Sequence, residues 1–231
     1  MQAYILTHEQ TATDNLFGMA RRYHEYCPEI YKPVTQTASA KELYFSGIDS
    51  GYKVGTAGNR ATGRSGTVQL FHGSEVAYWP NAEEHFAGVI QSVPRANGTE
   101  IILESTGNGI GGMFYSMSQD AIAGNSDYRF VFLPWYLQSE YVADPTGKKF
   151  DKNERELARI YGLTDAQLAW RRLKIAELGG ESRNQKMLTG FEMFQQEYPL
   201  TAEEAFVVSG RTAFDALALK ALLKTASSRN R

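Results

Sequence analysis

Two segments of this sequence place acids and hydroxyls where chemistry is done. Val68-Gln-Leu-Phe-His-Gly-Ser74-Glu75 is an apolar strand pattern that ends in an acid. A carboxylate at the C-terminal end of a central strand sits where open α/β sheets bind ligands. In nucleotide hydrolases such a glutamate orients the attacking water while a neighbouring polar residue helps to hold magnesium. Ile101-Ile-Leu103 is a second apolar run, followed by Glu104-Ser105-Thr106. Either segment alone reads as a solvated strand end. Two adjacent strands presenting such groups at one sheet edge make a shared site. Arg64, eleven residues before Glu75, approaches a phosphate from the preceding loop on this reading, and is an exposed loop arginine on the plainer one.

Two glycine motifs compete for a phosphate. Gly58-Asn-Arg-Ala-Thr-Gly63-Arg64-Ser65 nearly fits G-x-x-x-x-G-K-[ST], with Arg in place of Lys. That loop works because backbone N–H groups converge on phosphate at the start of a helix. Here Gly66-Thr-Val-Gln-Leu-Phe follows, a strand pattern, so a loop between strands is the simpler reading. Gly107-Asn-Gly109-Ile-Gly-Gly112 matches G-x-G-x-x-G between a strand and a helix, the context of a dinucleotide fingerprint. Its ribose-binding acid belongs at the end of the next strand, whereas the candidate Asp127 precedes that strand. Cys27, in Tyr-Cys-Pro, has no base near it in sequence and does not read as a nucleophile. The four histidines are too scattered for a metal set.

The elements that must position these groups alternate between strands and helices, which predicts an α/β sheet protein. Strands are expected at Tyr4-Ile-Leu, Leu43-Tyr-Phe, Tyr52-Lys-Val, Val68 to Phe71, Ile101 to Leu103 and Phe130-Val-Phe-Leu133. Thr11-Ala-Thr-Asp-Asn offers N-caps for a helix in which Leu16, Phe17, Ala20 and Tyr23 recur at helical spacing, ending near Cys27-Pro28. Further helices are expected at Ala82 to Gln91 and Met113 to Ala123. From Lys152 the pattern becomes helical. Thr164-Asp-Ala-Gln167 and Thr201-Ala-Glu-Glu204 read as capping boxes, and Asp215 opens a last Ala/Leu-rich helix.

Composition bounds the rest. The chain has 231 residues with 42% hydrophobic and 22% charged residues, as in ordinary globular proteins. No apolar run approaches a membrane span, and the N-terminus has neither the basic nor the apolar region of a secretory signal, which predicts an intracellular protein. A single cysteine excludes a disulfide framework. The net charge of −2 divides unevenly: residues 1–147 carry 9 Lys and Arg against 15 Asp and Glu, and residues 148–231 carry 15 against 11. With the change from strand to helical patterns in the last third, the expected organisation is a sheet domain over 1–147 and a helical region over 148–231. The basic excess, including Arg171-Arg172, faces DNA or a neighbouring subunit on one reading and is solvated helix surface on the other.

Taken in order, several segments resemble the large terminase subunit of tailed bacteriophages: Thr7-His-Glu-Gln-Thr-Ala-Thr-Asp-Asn-Leu-Phe, Gly63-Arg-Ser-Gly, Leu70-Phe-His-Gly-Ser-Glu-Val-Ala-Tyr-Trp-Pro-Asn, Leu103-Glu-Ser-Thr-Gly-Asn-Gly, Phe132-Leu-Pro-Trp-Tyr and Glu197-Tyr-Pro-Leu-Thr-Ala-Glu-Glu-Ala-Phe. The resemblance covers residues 3–215. It implies an additional-strand P-loop ATPase sheet, of RecA or Rossmann type, followed by a helical linker or lid. It also implies ATP and Mg2+ as cofactors, with hydrolysis driving viral double-stranded DNA into a procapsid. The implied partners are the portal protein, the small terminase subunit and further copies of the chain, with no membrane, in the cytoplasm of the bacterial host. Glu75 matches the Walker B catalytic glutamate, Ser105 and Thr106 fall in the coupling motif, and Arg64 stands where an arginine finger would act on a neighbouring subunit's ATP. The sequence departs from the family pattern at Ser74, which replaces the Walker B Asp and would hold Mg2+ indirectly. The Walker A loop belongs upstream of the strand matching Tyr4 to Leu6, and nothing in the chain supplies its lysine. The nuclease domain belongs beyond the last helix. The expectation is therefore an ATPase core fragment, inactive alone. A dinucleotide-binding enzyme using Gly107 to Gly112, or a non-catalytic module binding portal, small terminase or DNA, are the alternatives.

Overall fold

The computed structural model describes residues 1–58, 66–179 and 189–207. Arg64, the glycine loop beyond Gly58 and the helix expected from Asp215 lie outside the described residues. The chain forms two units, the first comprising residues 1–105 and 112–114, the second residues 106–111 and those from 115 onward. Gly147 falls within the second.

The first unit is built on a mixed sheet. Its strands β1 (Gln2–Thr7), β2 (Thr37–Ala38), β3 (Glu42–Phe45), β4 (Ser50–Thr56), β5 (Leu70–Ser74) and β6 (Glu100–Glu104) lie in the order β2-β3-β4-β1-β5-β6. Strands β4, β1, β5 and β6 run parallel, while β2 and β3 add antiparallel at one side. Alternation along β1 sends its side chains to two different cores. Tyr4 and Leu6 pack with Phe71, Val76, Trp79 and Val89, whereas Ile5 joins Phe17, Leu43 and Val54. Helix α2 (Ala82–Ile90) thus covers one face and α1 (Gln10–Glu25) the other.

Helix α1 begins earlier than its N-cap candidates Thr11 to Asn15 suggest, with Glu9 at the N-cap position. The reason is that Thr13 is used inward. Its hydroxyl lies 2.6 Å from Thr7 Oγ1 and 2.8 Å from Thr56 Oγ1 and also donates toward the carbonyls of Glu9 and Gly55. Three threonines thereby fasten the helix to the ends of β1 and β4. Strand β5 likewise starts at Leu70 rather than Val68, whose N–H instead donates to the Ser92 carbonyl.

The second unit holds α4 (Lys152–Tyr161), α5 (Asp165–Leu178), α6 (Gly190–Glu197) and α7 (Ala202–Val207), and most of α3 (Gly112–Ala123). The box at Thr164 and Gln167 forms with both reciprocal hydrogen bonds, and two more close at Asp151 with Glu154 and Thr189 with Glu192. At Thr201 only half of the expected box forms. Thr201 Oγ1 accepts from the Glu204 N–H, but the Glu204 carboxylate accepts from Leu200 N–H. The core is aromatic: Trp170 stacks on Tyr141 at 4.4 Å and on Trp135 at 5.2 Å, with Phe194 edge-on to both.

Phe130 to Leu133 does not form a strand. Its alternation is strand-like, with Val131 and Leu133 exposed, but a strand exists only where a neighbour completes its ladder, and no described strand does so. Leu173 of α5 is also exposed.

Candidate functional site

The parallel register sets Gly73 beside Leu103 and Ser74 beside Glu104, so the two strands end together. Beyond Ser74 the chain turns sharply. Glu75 adopts a left-handed backbone (φ 54°, ψ 45°) and leads into a 3₁₀ turn over Val76–Tyr78. Outside glycine this conformation is uncommon and must be held by its surroundings. Tyr78 N–H donates to the Glu75 carbonyl at 3.0 Å, and the buried Trp79 indole N–H donates to the Ser74 carbonyl at 2.9 Å.

Within this turn the candidate base meets the neighbouring strand. Ser105 Oγ lies 3.3 Å from Glu75 Oε2, to which it donates, and accepts from the Ala77 N–H at 3.2 Å. One hydroxyl therefore ties the half-buried Glu75 carboxylate to the turn that follows it. Ser74 is buried and stands opposite Glu104 in the register of β5 and β6. The structure thus brings Glu75, Ser74 and Ser105 together. Thr106 is half-buried and is the residue at which the second unit begins. Arg64 lies outside the described residues.

His72 does not stand out in the sequence, yet with Glu104 it completes this edge. His72 Nε2 is 3.4 Å from Glu104 Oε1. Partial burial disfavours the charged form of Glu104, but hydrogen bonds from His72 and Ser74, the His72 charge and the Glu75 backbone N–H outweigh it and hold the carboxyl below the usual range. The signal is available in the period of two: His72 and Ser74 share one face of β5, opposite Ile102 and Glu104. What a single sequence does not give is that the two strands are neighbours.

An Mg2+ ion suits oxygen donors of this kind, since it takes one or two carboxylates and fills its shell with waters and substrate phosphates. Among the described residues no three His, Cys, Asp or Glu side chains form a cluster able to hold a metal by themselves. The glycine motif is used for packing at its first position. A Cβ on Gly107 would collide with the Ala205 carbonyl oxygen, so this backbone faces another segment of the chain where a dinucleotide would need open approach. Arg171 and Arg172 are committed too. Arg171 is buried against the rings of Phe191 and Phe194, and Arg172 forms a two-point pair with Glu154.

No family model matches the chain, and no curated protein matches it at a significant level. Among solved structures, it is similar to the large terminase of bacteriophage HK97, with a TM-score of 0.52, 16% identity, and coverage of 76% of this chain and 36% of that one. It is also similar to the large terminase of a thermophilic bacteriophage in complex with ADP, with a TM-score of 0.46, 11% identity, and coverage of 72% and 39%. The chain spans little more than a third of the length of either. The HK97 likeness shows the fold: this is a terminase-like α/β sheet.

Proposed function

We propose that this chain carries the water-activating part of an ATP hydrolase that moves viral double-stranded DNA into a procapsid. The observation that supports it most is the Ser105 to Glu75 hydrogen bond, which links the candidate base to the segment expected to couple hydrolysis to movement. On this reading Glu75 orients the water that attacks the γ-phosphate and takes up its proton, a role worth about 10²- to 10⁴-fold in rate. Ser105 fixes the carboxylate, and with Thr106 couples the change in charge at Glu75 to movement. Mg2+, when bound with ATP, neutralises phosphate charge. Ser74 would hold it through a water, to which the lone pairs of its hydroxyl oxygen are offered. Arg64 acts on the ATP of a neighbouring copy, which makes the working form a homo-oligomer, assembled with portal and small terminase in the bacterial cytoplasm.

On the family pattern given above, a G-x-x-x-x-G-K-[ST] loop ahead of β1 supplies the phosphate-binding lysine. The test is phosphate release by the 231-residue chain alone and fused behind a segment bearing G-x-x-x-x-G-K-[ST] on a strand and helix. The chain alone releases none above background. The fusion hydrolyses ATP, and Glu75→Gln reduces its turnover by about 10²-fold or more. A fusion that hydrolyses equally well with Gln at this position overturns the assignment.

A further inference from the structure

We propose that Trp79 is a positioning residue for Glu75, its indole fixing the backbone from which the candidate base projects. The inference rests on the reading of Glu75 as the base, while the geometry of the turn is independent of that reading.

The chain leaves β5 through the peptide that joins Ser74 to Glu75. The oxygen of that peptide, the Ser74 carbonyl, accepts from Trp79 Nε1 at 2.9 Å in a buried hydrogen bond. An indole has one donor and no acceptor, so at a buried position it has to find an oxygen, and the Ser74 carbonyl is the one this ring reaches. The ring itself is held. It stands edge-on to Phe71 with centroids 6.4 Å apart, and it packs in the core with Tyr4, Leu6, Val76 and Val89. Gly73 makes room for it, since a Cβ there would lie 3.0 Å from Trp79 Cη2. The donor that closes the end of β5 is therefore carried by a packed side chain from five residues further on.

The consequence falls on Glu75. The peptide before it is pinned by the indole, and the Glu75 carbonyl after it accepts from the Tyr78 N–H at 3.0 Å. Gripped on both sides, the residue is kept left-handed (φ 54°, ψ 45°), a conformation a non-glycine residue holds only when its surroundings fix it. The Ser105 hydroxyl then sets the side chain at Oε2. Trp79 thus fixes the backbone of Glu75 and Ser105 fixes its carboxylate. A base that orients a water must be placed to a fraction of an ångström, and that placement comes from the residues supporting it. On this scheme Trp79 touches no reacting group and acts only through Glu75.

The test is a double-mutant cycle in the 231-residue chain, read by urea unfolding with far-ultraviolet circular dichroism. Trp79→Phe keeps an aromatic ring and removes the N–H, and Glu75→Gly accepts a left-handed backbone without support. The packing lost with the larger ring is common to both backgrounds and cancels. Trp79→Phe is expected to lower the folding equilibrium constant at least about 5-fold more in the parent than in the Glu75→Gly background. Equal losses in the two backgrounds would leave Trp79 a packing role alone and overturn the proposal. Should Trp79→Phe fail to fold, the cycle is run with the Trp79 indole replaced by benzothiophene, which keeps the shape of the ring and removes only the N–H. In the fusion that hydrolyses ATP, and given that Glu75→Gln slows it, Trp79→Phe lowers kcat about 10-fold with KM for ATP unchanged. An unchanged kcat there also overturns the proposal. If the fusion is indifferent to Glu75→Gln, the base assignment fails, while the cycle still decides whether Trp79 holds the backbone of Glu75.

Discussion

Gly73 shows how closely the turn at Glu75 is built against its supports. A Cβ there would lie 2.9 Å from Leu103 Cδ2 and 3.0 Å from both Trp79 Cη2 and Val76 Cγ2. Those atoms belong to β6 and to the turn itself, so adding a methyl group pushes the two strand ends apart where Ser105 must reach Glu75. Gly73→Ala is expected to cost about 1–3 kcal/mol, the usual penalty of overpacking, and to weaken the Ser105 contact. Denaturation followed by the fluorescence of Trp79 measures the first, and an unchanged midpoint would mean that the Leu103 and Trp79 side chains simply yield. Gly107→Ala should cost more, because the Ala205 carbonyl it meets is backbone and cannot rotate away. Trp135 and Trp170, both buried in the second unit, report that loss. Of these residues the sequence pattern points to Glu75, Ser74, Glu104 and Ser105, because an acid or hydroxyl at a strand end is a local signal. Gly73 and His72 matter through partners some thirty residues away, and that spacing becomes visible only once the strands are paired.

Among the elements, what lies in short-range chemistry is legible and what needs a partner is not. The box from Thr164 to Gln167 is readable because both its bonds are made within four residues. Phe130 to Leu133 misleads because its alternation says nothing about a neighbouring strand. The box at the head of α4 is local too, although it does not stand out in the sequence, and it carries a pH dependence. Glu154, 7% exposed, caps the helix and accepts from Nε and Nη2 of Arg172. The Arg172 hydrogen bonds hold its carboxyl below the usual range against the opposing effect of burial, with the Asp151 N–H and the charges of Arg172 and Arg171 adding to them. A folded-state value below the unfolded one means stability that is complete above the 4.5 of a free glutamate and is lost as pH falls through the lower folded value. Glu154→Gln should therefore cost about 2 kcal/mol at neutral pH, with the gap to the parent protein closing on acidification. Urea midpoints measured across that range check it. A gap that stays constant would mean that the loss is one of shape rather than charge.

For the whole molecule the question is where the basic excess of residues 148–231 goes. Arg155, Arg159, Arg172 and Lys174 each pair with an acid of their own unit, at 2.5 to 2.7 Å. Arg172 also lies 4.9 Å from the Phe150 ring, and Arg171 is buried over two phenylalanines with its charge opposed by Glu154, Glu204 and Asp151. A cation already paired or buried releases few counterions when DNA approaches. The Arg171-Arg172 pair that stands out in the sequence as a DNA contact is therefore better placed to stabilise α5 against α4 and α6. If the chain binds duplex DNA, each phosphate contact contributes about −0.9 to the slope of log affinity against log salt. Arg171→Met together with Arg172→Gln should lower the thermal midpoint by several degrees while leaving that slope within about 0.9 of the parent. The slope is measured by fluorescence anisotropy over a salt series, and the midpoint by near-ultraviolet circular dichroism of the stacked Trp135, Trp170 and Tyr141. A slope shallower by about 1.8 with an unchanged midpoint would mean the reverse: both arginines meet phosphate, and the pairs that occupy them in the isolated chain open to let them do so.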